Sequence, residues 1–128
     1  MATILVIDDD AAMRRLILRI LKPTGHTLLE ARDGAEGLAV LERHEADLVI
    51  TDLLMPRKEG IATMREIGAR RPAVKFLAIS AGGELRSPAF LEVAKVMGAE
   101  ETLAKPFKPR ALLDAVGRLL PRDGPGSG

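Results

Sequence analysis

One stretch decides the fold of this chain: Val49-Ile50-Thr51-Asp52-Leu53-Leu54-Met55-Pro56. It continues an apolar run that begins at Leu48, which is typical of a strand buried in the centre of a sheet. Asp52 places a single carboxylate where this run ends, and Pro56 then breaks the strand and stiffens the loop. One acid at a strand end says little by itself, so its meaning depends on what the other strand ends carry.

The rest of the chain alternates short β-prone runs with helical patterns. The predicted strands cover 4–7, 27–31, 47–51, 74–79 and 101–104. The predicted helices cover 13–21, 35–43, 58–70, 89–97 and 109–120. The first of them carries Met13, Leu16, Ile17, Ile20 and Leu21 on one expected inward face. Strands that alternate with helices predict an α/β fold, a single doubly wound domain with a parallel sheet covered on both faces.

Composition excludes several classes of function. The 128 residues suffice for one domain, and 47% hydrophobic residues argue against disorder. Aromatic residues make up only 2%, so the core must be aliphatic and the stacking platforms of single-stranded nucleic-acid binders are missing. The net charge of +1 comes from acids and bases mixed along the chain, so we expect no direct nucleic-acid binding and no membrane insertion.

Reactive and targeting features are equally limited. The chain has no cysteine, which excludes disulfides and thiolate catalysis, and its two histidines, His26 and His44, are expected at the surface. No apolar run reaches the roughly 18 residues of a membrane span, and a strand begins at once at the N-terminus, so a cytoplasmic location is expected. Residues 122–128 are rich in Pro, Gly and Ser and are expected to form a disordered tail, with a vector-derived origin left open.

Polar side chains follow four of the predicted strands. Asp8 and Asp9 end the first strand, Asp52 the third, Ser80 the fourth and Lys105 the fifth. In doubly wound folds, ligands bind at the carboxyl ends of the strands, where the strand order reverses. The sequence therefore predicts that these side chains converge on one pocket.

The three acids of this set predict a metal site. Carboxylates that share a pocket repel one another, and a hard divalent cation relieves the repulsion. Mg²⁺ suits a shallow all-oxygen site that keeps several waters, so Asp8, Asp9 and Asp52 are the expected ligands. The alternative for the run from Asp8 to Asp10 is helix capping, and Asp10 is the member that best fits a cap alone.

Lys105 and Ser80 add phosphoryl chemistry to this expectation. A lysine beside carboxylates is a point-charge partner for phosphate, and a strand-end hydroxyl can donate to a phosphoryl oxygen. The residue set therefore predicts Asp52 as a nucleophile that forms an aspartyl phosphate, stabilised by Mg²⁺, Lys105 and Ser80. Because phosphorylation adds about −1.5 to −2 charge, the site would rearrange as a switch.

Four motifs together resemble the receiver domain of response regulators, the CheY-like family. They are Ile4-Leu5-Val6-Ile7 with Asp8-Asp9, then Asp52-Leu53-Leu54-Met55-Pro56, Ser80-Ala81 and Lys105-Pro106-Phe107. Each motif alone is weak, but the set in this order and spacing is specific. The resemblance implies a flavodoxin-like sheet of five parallel strands in the order 2-1-3-4-5, with residues 1–121 as the receiver domain.

The resemblance implies a role for each site residue. Asp52 would be the phosphoacceptor, and Asp8 and Asp9 would position Mg²⁺ together with Asp52 and the backbone carbonyl of Leu54. Ser80 would be the switch hydroxyl and Lys105 the partner of the phosphoryl group.

Pro106 is similar to the cis-proline of the family. The position that is usually aromatic in the family falls on Thr102, and the segment 82–88 is longer and richer in glycine than usual.

The same resemblance implies the partners. The phosphoryl group would come from a sensor histidine kinase or a histidine phosphotransfer protein, in a two-component or phosphorelay system. The chain would catalyse only its own phosphorylation and Mg²⁺-dependent dephosphorylation, and would signal to a downstream protein by altered contacts. It would be a monomer or a phosphorylation-dependent homodimer through the fourth and fifth predicted helices. Two alternatives stay open: a Mg²⁺-dependent aspartyl-phosphate phosphatase, and a degenerate interaction module that is never phosphorylated.

Overall fold

Five parallel strands form one sheet in the computed structural model of this protein, which describes residues 2–52, 59–81 and 98–120. The side chains of residues 59–61, 80 and 81 also lie outside the described part. The strands are β1 (Thr3–Ile7), β2 (Thr27–Ala31), β3 (Leu48–Asp52), β4 (Lys75–Ala81) and β5 (Ala99–Lys105). They lie in the order β2-β1-β3-β4-β5, and each neighbouring pair is parallel. The predicted fold class and strand order are therefore confirmed.

Four of the five predicted helices lie in the described ranges. They are α1 (Ala11–Leu21), α2 (Gly34–Arg43), α3 (Glu59–Arg70) and α4 (Pro109–Leu119), and a 3-10 turn (Lys22–Thr24) follows α1. The helix predicted over 89–97, the segment 82–88 and the tail 122–128 lie outside the described residues.

The sheet separates two hydrophobic layers because successive strand residues point to opposite faces. In β1, Leu5 and Ile7 join the layer that contains Met64 and Ile67 of α3. Ile4 and Val6 point the other way, into a layer formed with α1 and α4. The second layer includes Ile17, Leu21, Leu112, Ala115, Val116 and Leu119. Both faces of the central strands are thus covered, as their continuous apolar runs predicted.

Local sequence signals set the helix ends. The carboxylate of Asp10 caps α1, accepting the backbone N–H groups of Ala12 at 2.9 Å and Met13 at 3.3 Å. The segment after α1 stops at Gly25, whose φ of 82° favours glycine. Asp33 caps α2 by accepting the N–H of Glu36 at 2.8 Å. Asp33-Gly34 is therefore the beginning of α2.

One expectation about the core is wrong. The apolar period predicts Leu16 on the inward face of α1, but 41% of this residue is exposed. Adjacent helical positions are about 100° apart around the axis, so Leu16 lies well to one side of the fully buried Ile17. Met13 and Ile20 are closer to the centre of the apolar stripe and pack against the core.

Two glycines provide a test of the packing between α2 and α3. A Cβ at Gly34 would overlap the Thr63 hydroxyl and lie 3.1 Å from the Thr63 Cβ, whereas a Cβ at Gly68 meets nothing within 4 Å. We expect Gly34→Ala to lower the free energy of unfolding by about 2 kcal/mol through overpacking. Gly68→Ala should raise it by about 0.5–1 kcal/mol, because alanine is the better helix former. Urea denaturation measures both, and equal effects of the two substitutions would contradict this account of the helix contact.

Candidate functional site

The register of the sheet brings the two buried acids together. Ile7 of β1 pairs with Thr51 of β3, so the residues that follow them, Asp8 and Asp52, lie side by side at the carboxyl edge. This edge is also where the chain reverses its direction of winding, between β1 and β3. Such a switch point leaves a crevice outside the strand ends, and ligands bind there in doubly wound folds.

Three carboxylates meet at this crevice. Asp8, Asp9 and Asp52 each contribute one carboxylate oxygen, and these three oxygens lie within 4.8 Å of one another. Asp8 is 1% exposed and Asp52 is 8% exposed, whereas Asp9 is an exposed residue. The cluster is therefore anchored in the protein on the side of Asp8 and Asp52 and open to solvent on the side of Asp9.

Lys105 supplies a positive charge to the same cluster. Ala81 of β4 pairs with Lys105 of β5, which brings the lysine to this edge of the sheet. Its Nζ donates to Asp52 Oδ2 at 2.7 Å and to Asp8 Oδ2 at 3.4 Å. Burial acts to lower the pKa of Lys105, but the hydrogen bond to Asp52 and the charges of both acids outweigh it and raise the pKa above its usual value. The lysine is therefore a permanent cation in this site.

The surroundings of Asp8 disfavour the ionisation of its carboxyl. Burial raises the pKa of its carboxyl and is the largest influence on it, and the neighbouring charge of Asp52 acts in the same direction. The backbone N–H of Asp10, which donates to Asp8 Oδ1 at 2.9 Å, and the charge of Lys105 act to lower that pKa and offset part of the rise. One lysine thus does not compensate the buried carboxylates fully.

The residues fit a small divalent cation. Two oxygens bound to one Mg²⁺ at about 2.1 Å lie about 3 Å apart when adjacent and about 4.2 Å apart when opposite. The carboxylate oxygens of the cluster are at most 4.8 Å apart, so they need only a small movement to reach that spacing. Three carboxylates and one ammonium also leave two formal negative charges, which a divalent cation would neutralise.

The structure brings together most, but not all, of the predicted site. Asp8, Asp9, Asp52 and Lys105 share the crevice. The backbone of Ser80 pairs with Ala104 at the same edge, but the Ser80 side chain lies outside the described residues. The predicted carbonyl ligand from Leu54 lies outside them too.

Asp10 and Pro106, which lie next to the site, behave as predicted, and the structure also shows the surroundings of Thr102. The Asp10 carboxylate is engaged at the beginning of α1 and is not part of the acidic cluster, so the cap is its role here. The peptide between Lys105 and Pro106 is cis. Thr102 is half-buried in β5, where it pairs with Ala78.

Sequence reasoning missed one side chain beside the cluster. Nη1 of Arg14 donates to the backbone carbonyl oxygen of Asp8 at 2.7 Å, and Nε donates to Glu30 Oε1 at 2.7 Å. Arg14 and Glu30 are 16 residues apart in the chain. Nothing in the apolar periodicity indicates that they meet, because the contact arises only when α1 packs beside β2.

The fold and the site define a class of protein: doubly wound α/β domains with an acidic cluster and a strand-end lysine at the switch point. Within that class, residues 4–117 match the family described as the response regulator receiver domain. The chain belongs to this family. Receiver domains act in two-component signalling as phosphorylation-dependent switches, interact with histidine kinases and downstream effectors, and generally bind Mg²⁺ in an acidic pocket.

Individual relatives agree with this assignment. The chain is 34% identical over 122 residues to the transcriptional regulatory protein CpxR of Klebsiella pneumoniae, covering 95% of this chain and 50% of the relative. It is 32% identical over 121 residues to the sensor kinase CckA of Brucella abortus, covering 93% of this chain and 12% of the relative. The chain thus spans about half or less of the length of these curated relatives.

Solved structures show the same fold. The chemotaxis protein CheY4 of Vibrio cholerae superposes with a TM-score of 0.86 at 29% identity, covering 94% of this chain and 99% of that one. The receiver domain of NtrX from Brucella abortus superposes with a TM-score of 0.84 at 31% identity, covering 91% and 97%. Within the described ranges, every helix of the present chain is too short or too polar to cross a membrane.

The raised pKa of Asp8 leads to a pH-dependent prediction. In the folded state the carboxyl holds its proton more tightly than in the unfolded state, so its ionised form lowers stability at pH values above the folded pKa. We expect Asp8→Asn, which keeps an acceptor for the Asp10 N–H, to raise the melting temperature of metal-free protein by a few degrees at pH 7. The gain should shrink as the pH falls below the folded pKa toward the ordinary carboxyl value of 3.8, and it should vanish well below 3.8, where the carboxyl is protonated in both states.

Asp10→Asn is the matched control for this substitution. It removes the same charge from the same turn, and asparagine caps a helix about as well as aspartate, so its melting temperature should barely change. Thermal unfolding in chelator at pH 7 and pH 4 measures both variants. A clear loss of stability in Asp8→Asn at pH 7 would mean that the ion pair with Lys105 outweighs the burial of the carboxylate.

Proposed function

We propose that this chain is a phosphorylation-dependent switch that accepts a phosphoryl group on Asp52. The observation that carries the proposal is the position of the Asp52 carboxylate at the switch point, hydrogen-bonded to Lys105 and clustered with Asp8 and Asp9. A buried carboxylate beside a fixed cation and two further acids is the arrangement expected for an aspartyl-phosphate site.

The proposed reaction begins with a carboxylate oxygen of Asp52. This oxygen forms a bond to phosphorus while the bond from phosphorus to the donor breaks, and the electron pair leaves with the donor's nitrogen or oxygen. The Lys105 ammonium lies 2.7 Å from Asp52 Oδ2, where it can pair with the charge that arrives on the phosphoryl oxygens. We propose the Ser80 hydroxyl as a further donor to those oxygens, following the resemblance to the family.

Asp8, Asp9, Asp52 and the backbone carbonyl of Leu54 are the proposed ligands of Mg²⁺. When bound, the cation would neutralise charge on the phosphoryl group and on the acids, which is the main catalytic need in phosphoryl transfer. Asp8 and Asp52 are buried and so have restricted freedom, while the exposed Asp9 can adjust its position to the ion. The same residues would support dephosphorylation, in which water attacks phosphorus and the bond to Asp52 breaks.

The switch itself follows from the added charge. A phosphoryl group brings about −1.5 to −2 charge into a cluster that already contains three carboxylates. Lys105 would have to turn from Asp52 and Asp8 toward the phosphoryl oxygens, and the loops at this edge would rearrange with it. Thr102, at the position that is usually aromatic in the family, leaves such a rearrangement to the loops and not to rotation of a large ring.

The proposed partners are those of a two-component system. We propose a sensor histidine kinase or a histidine phosphotransfer protein as the phosphoryl donor, a downstream protein as the receiver of the signal, and the cytoplasm as the location. No direct contact with nucleic acid by this domain is proposed. Residues 1–121 are the proposed domain, acting as a monomer or as a homodimer that phosphorylation strengthens.

The alternative of an aspartyl-phosphate phosphatase from another α/β family has less support. That chemistry needs a second acid two positions after the nucleophile, and Leu54 occupies this place after Asp52. Asp10 stands at the same spacing after Asp8, but its carboxylate accepts the N–H groups of Ala12 and Met13. An acid engaged at a helix end is poorly placed to protonate a leaving group.

Intact mass spectrometry tests the phosphoacceptor. Wild-type protein incubated with acetyl phosphate and Mg²⁺ should gain the mass of one phosphoryl group, and the adduct should be lost at alkaline pH, as expected for an acyl phosphate. Asp52→Asn should gain none, because the amide is not a nucleophile. Asp47→Asn, which changes a carboxylate at the opposite end of the sheet, is the control and should be labelled like wild type. A gain that persists in Asp52→Asn would move the acceptor elsewhere.

Calorimetric titration with Mg²⁺ tests the proposed ligands. Asp9→Asn should weaken Mg²⁺ binding at least about tenfold, because the cluster loses one charged ligand. Asp114→Asn removes an exposed carboxylate from α4, away from the crevice, and should leave the affinity unchanged. Absence of Mg²⁺ binding in the wild type, together with absence of labelling, would favour the degenerate interaction module.

A further inference from the structure

Arg14 links three parts of the molecule beside the acidic cluster. It lies in the first turns of α1, and its side chain is 17% exposed. Nη1 donates to the backbone carbonyl oxygen of Asp8, and Nε donates to the Glu30 carboxylate on the edge strand β2, each at 2.7 Å. One guanidinium group therefore joins α1, β2 and the residue at which the chain leaves β1.

Within the described part of the chain, few other hydrogen bonds fix the position of Asp8. It follows the last residue of β1, and its N–H donates to the Ala31 carbonyl at a rather long 3.2 Å. The Asp10 N–H holds one oxygen of its carboxylate at 2.9 Å. The hydrogen bond from Arg14 is the shortest of these three and is charge-assisted, which makes it about twice as strong as a neutral one.

We propose that Arg14 is a positioning residue for the metal site, acting through the backbone of Asp8. This inference rests on the proposed function, because it assumes that Asp8, Asp9 and Asp52 bind a divalent cation. The planar guanidinium can satisfy Asp8 and Glu30 at once and so keep the turn after β1 in the geometry that aims Asp8 and Asp9 at Asp52. A lysine, which is a single compact charge, cannot hold both acceptors in the same way.

The sign of the effect distinguishes positioning from simple electrostatics. If Arg14 influenced the site only through its charge, removing that charge would strengthen the binding of a cation, because like charges repel. If Arg14 positions Asp8, removing it weakens binding even though a positive charge has been lost. An ordinary surface ion pair between Arg14 and Glu30 would contribute little to either property.

The experiment is calorimetric titration of the metal-free chain with Mg²⁺ alone. Calorimetry is preferred because the chain has no Trp and no Tyr to report binding by fluorescence. Arg14→Met keeps the aliphatic stem and should weaken Mg²⁺ binding about tenfold, the lower end of the range for residues that orient metal ligands. Arg14→Lys should lie between Arg14→Met and wild type. Arg15→Met, the same change at the neighbouring exposed residue of α1, is the matched control and should bind Mg²⁺ at least as tightly as wild type.

A second measurement makes the test independent of the metal. Amide hydrogen exchange of the metal-free protein should show faster exchange of the Asp10 N–H in Arg14→Met, because its acceptor on Asp8 is no longer held. The same amide should keep its protection in Arg15→Met. Glu30→Gln, which leaves Arg14 in place but weakens its anchor on β2, should show a smaller change in the same direction.

The outcomes separate the two proposals. Wild-type binding of Mg²⁺ with equal or tighter binding in Arg14→Met would overturn the role of Arg14 and leave the proposed function intact. A wild type that binds no Mg²⁺ would overturn the proposed metal site, and the inference would fall with it. Weaker binding in Arg14→Met, with Arg15→Met unaffected and a cooperative melt in both, supports the positioning role.

Discussion

The burial of crowded carboxylates at one edge of the sheet is the constraint on which this molecule depends. Asp8 and Asp52 are buried within hydrogen-bonding reach of the same ammonium group, and Asp9 brings a third charge to them. Lys105 offsets part of the cost of burying these charges, but burial, together with the charge of Asp52, still raises the pKa of Asp8. Burying charged groups costs stability, and acids with perturbed pKa values cluster at functional sites.

The sheet is what makes the cluster possible. Parallel pairing aligns the carboxyl ends of β1, β3, β4 and β5, and the two aliphatic layers pack against both faces of these strands. The side chains of the site therefore need little further support, except where the chain leaves the sheet. The chain leaves the sheet after Ile7, and there Asp8 is held by hydrogen bonds from the Arg14 side chain and the Asp10 backbone N–H.

Much of the candidate site could be predicted because its residues stand where strands end. An apolar run followed by an acid or a lysine is visible in the sequence, and the rule for parallel sheets then brings Asp52 and Lys105 to one edge. The contacts between side chains on different helices and strands could not be predicted in this way. Leu16 matched the helical period of α1 but lies at the side of the stripe, since burial depends on where α4 and β2 pack. The contact of Arg14 with Glu30 was invisible for the same reason.

The sequence by itself determined the class of fold, the order of strands and helices, and the identity of the acids and the lysine. It could do so because these features depend on local periodicity, on caps such as Asp10 and Asp33, and on motifs a few residues long. Only the tertiary structure decided how closely the carboxylates of Asp8, Asp9 and Asp52 approach one another, and that Arg14 donates to the backbone carbonyl oxygen of Asp8. Those outcomes depend on distances between segments far apart in the chain, which are set by strand register and helix packing.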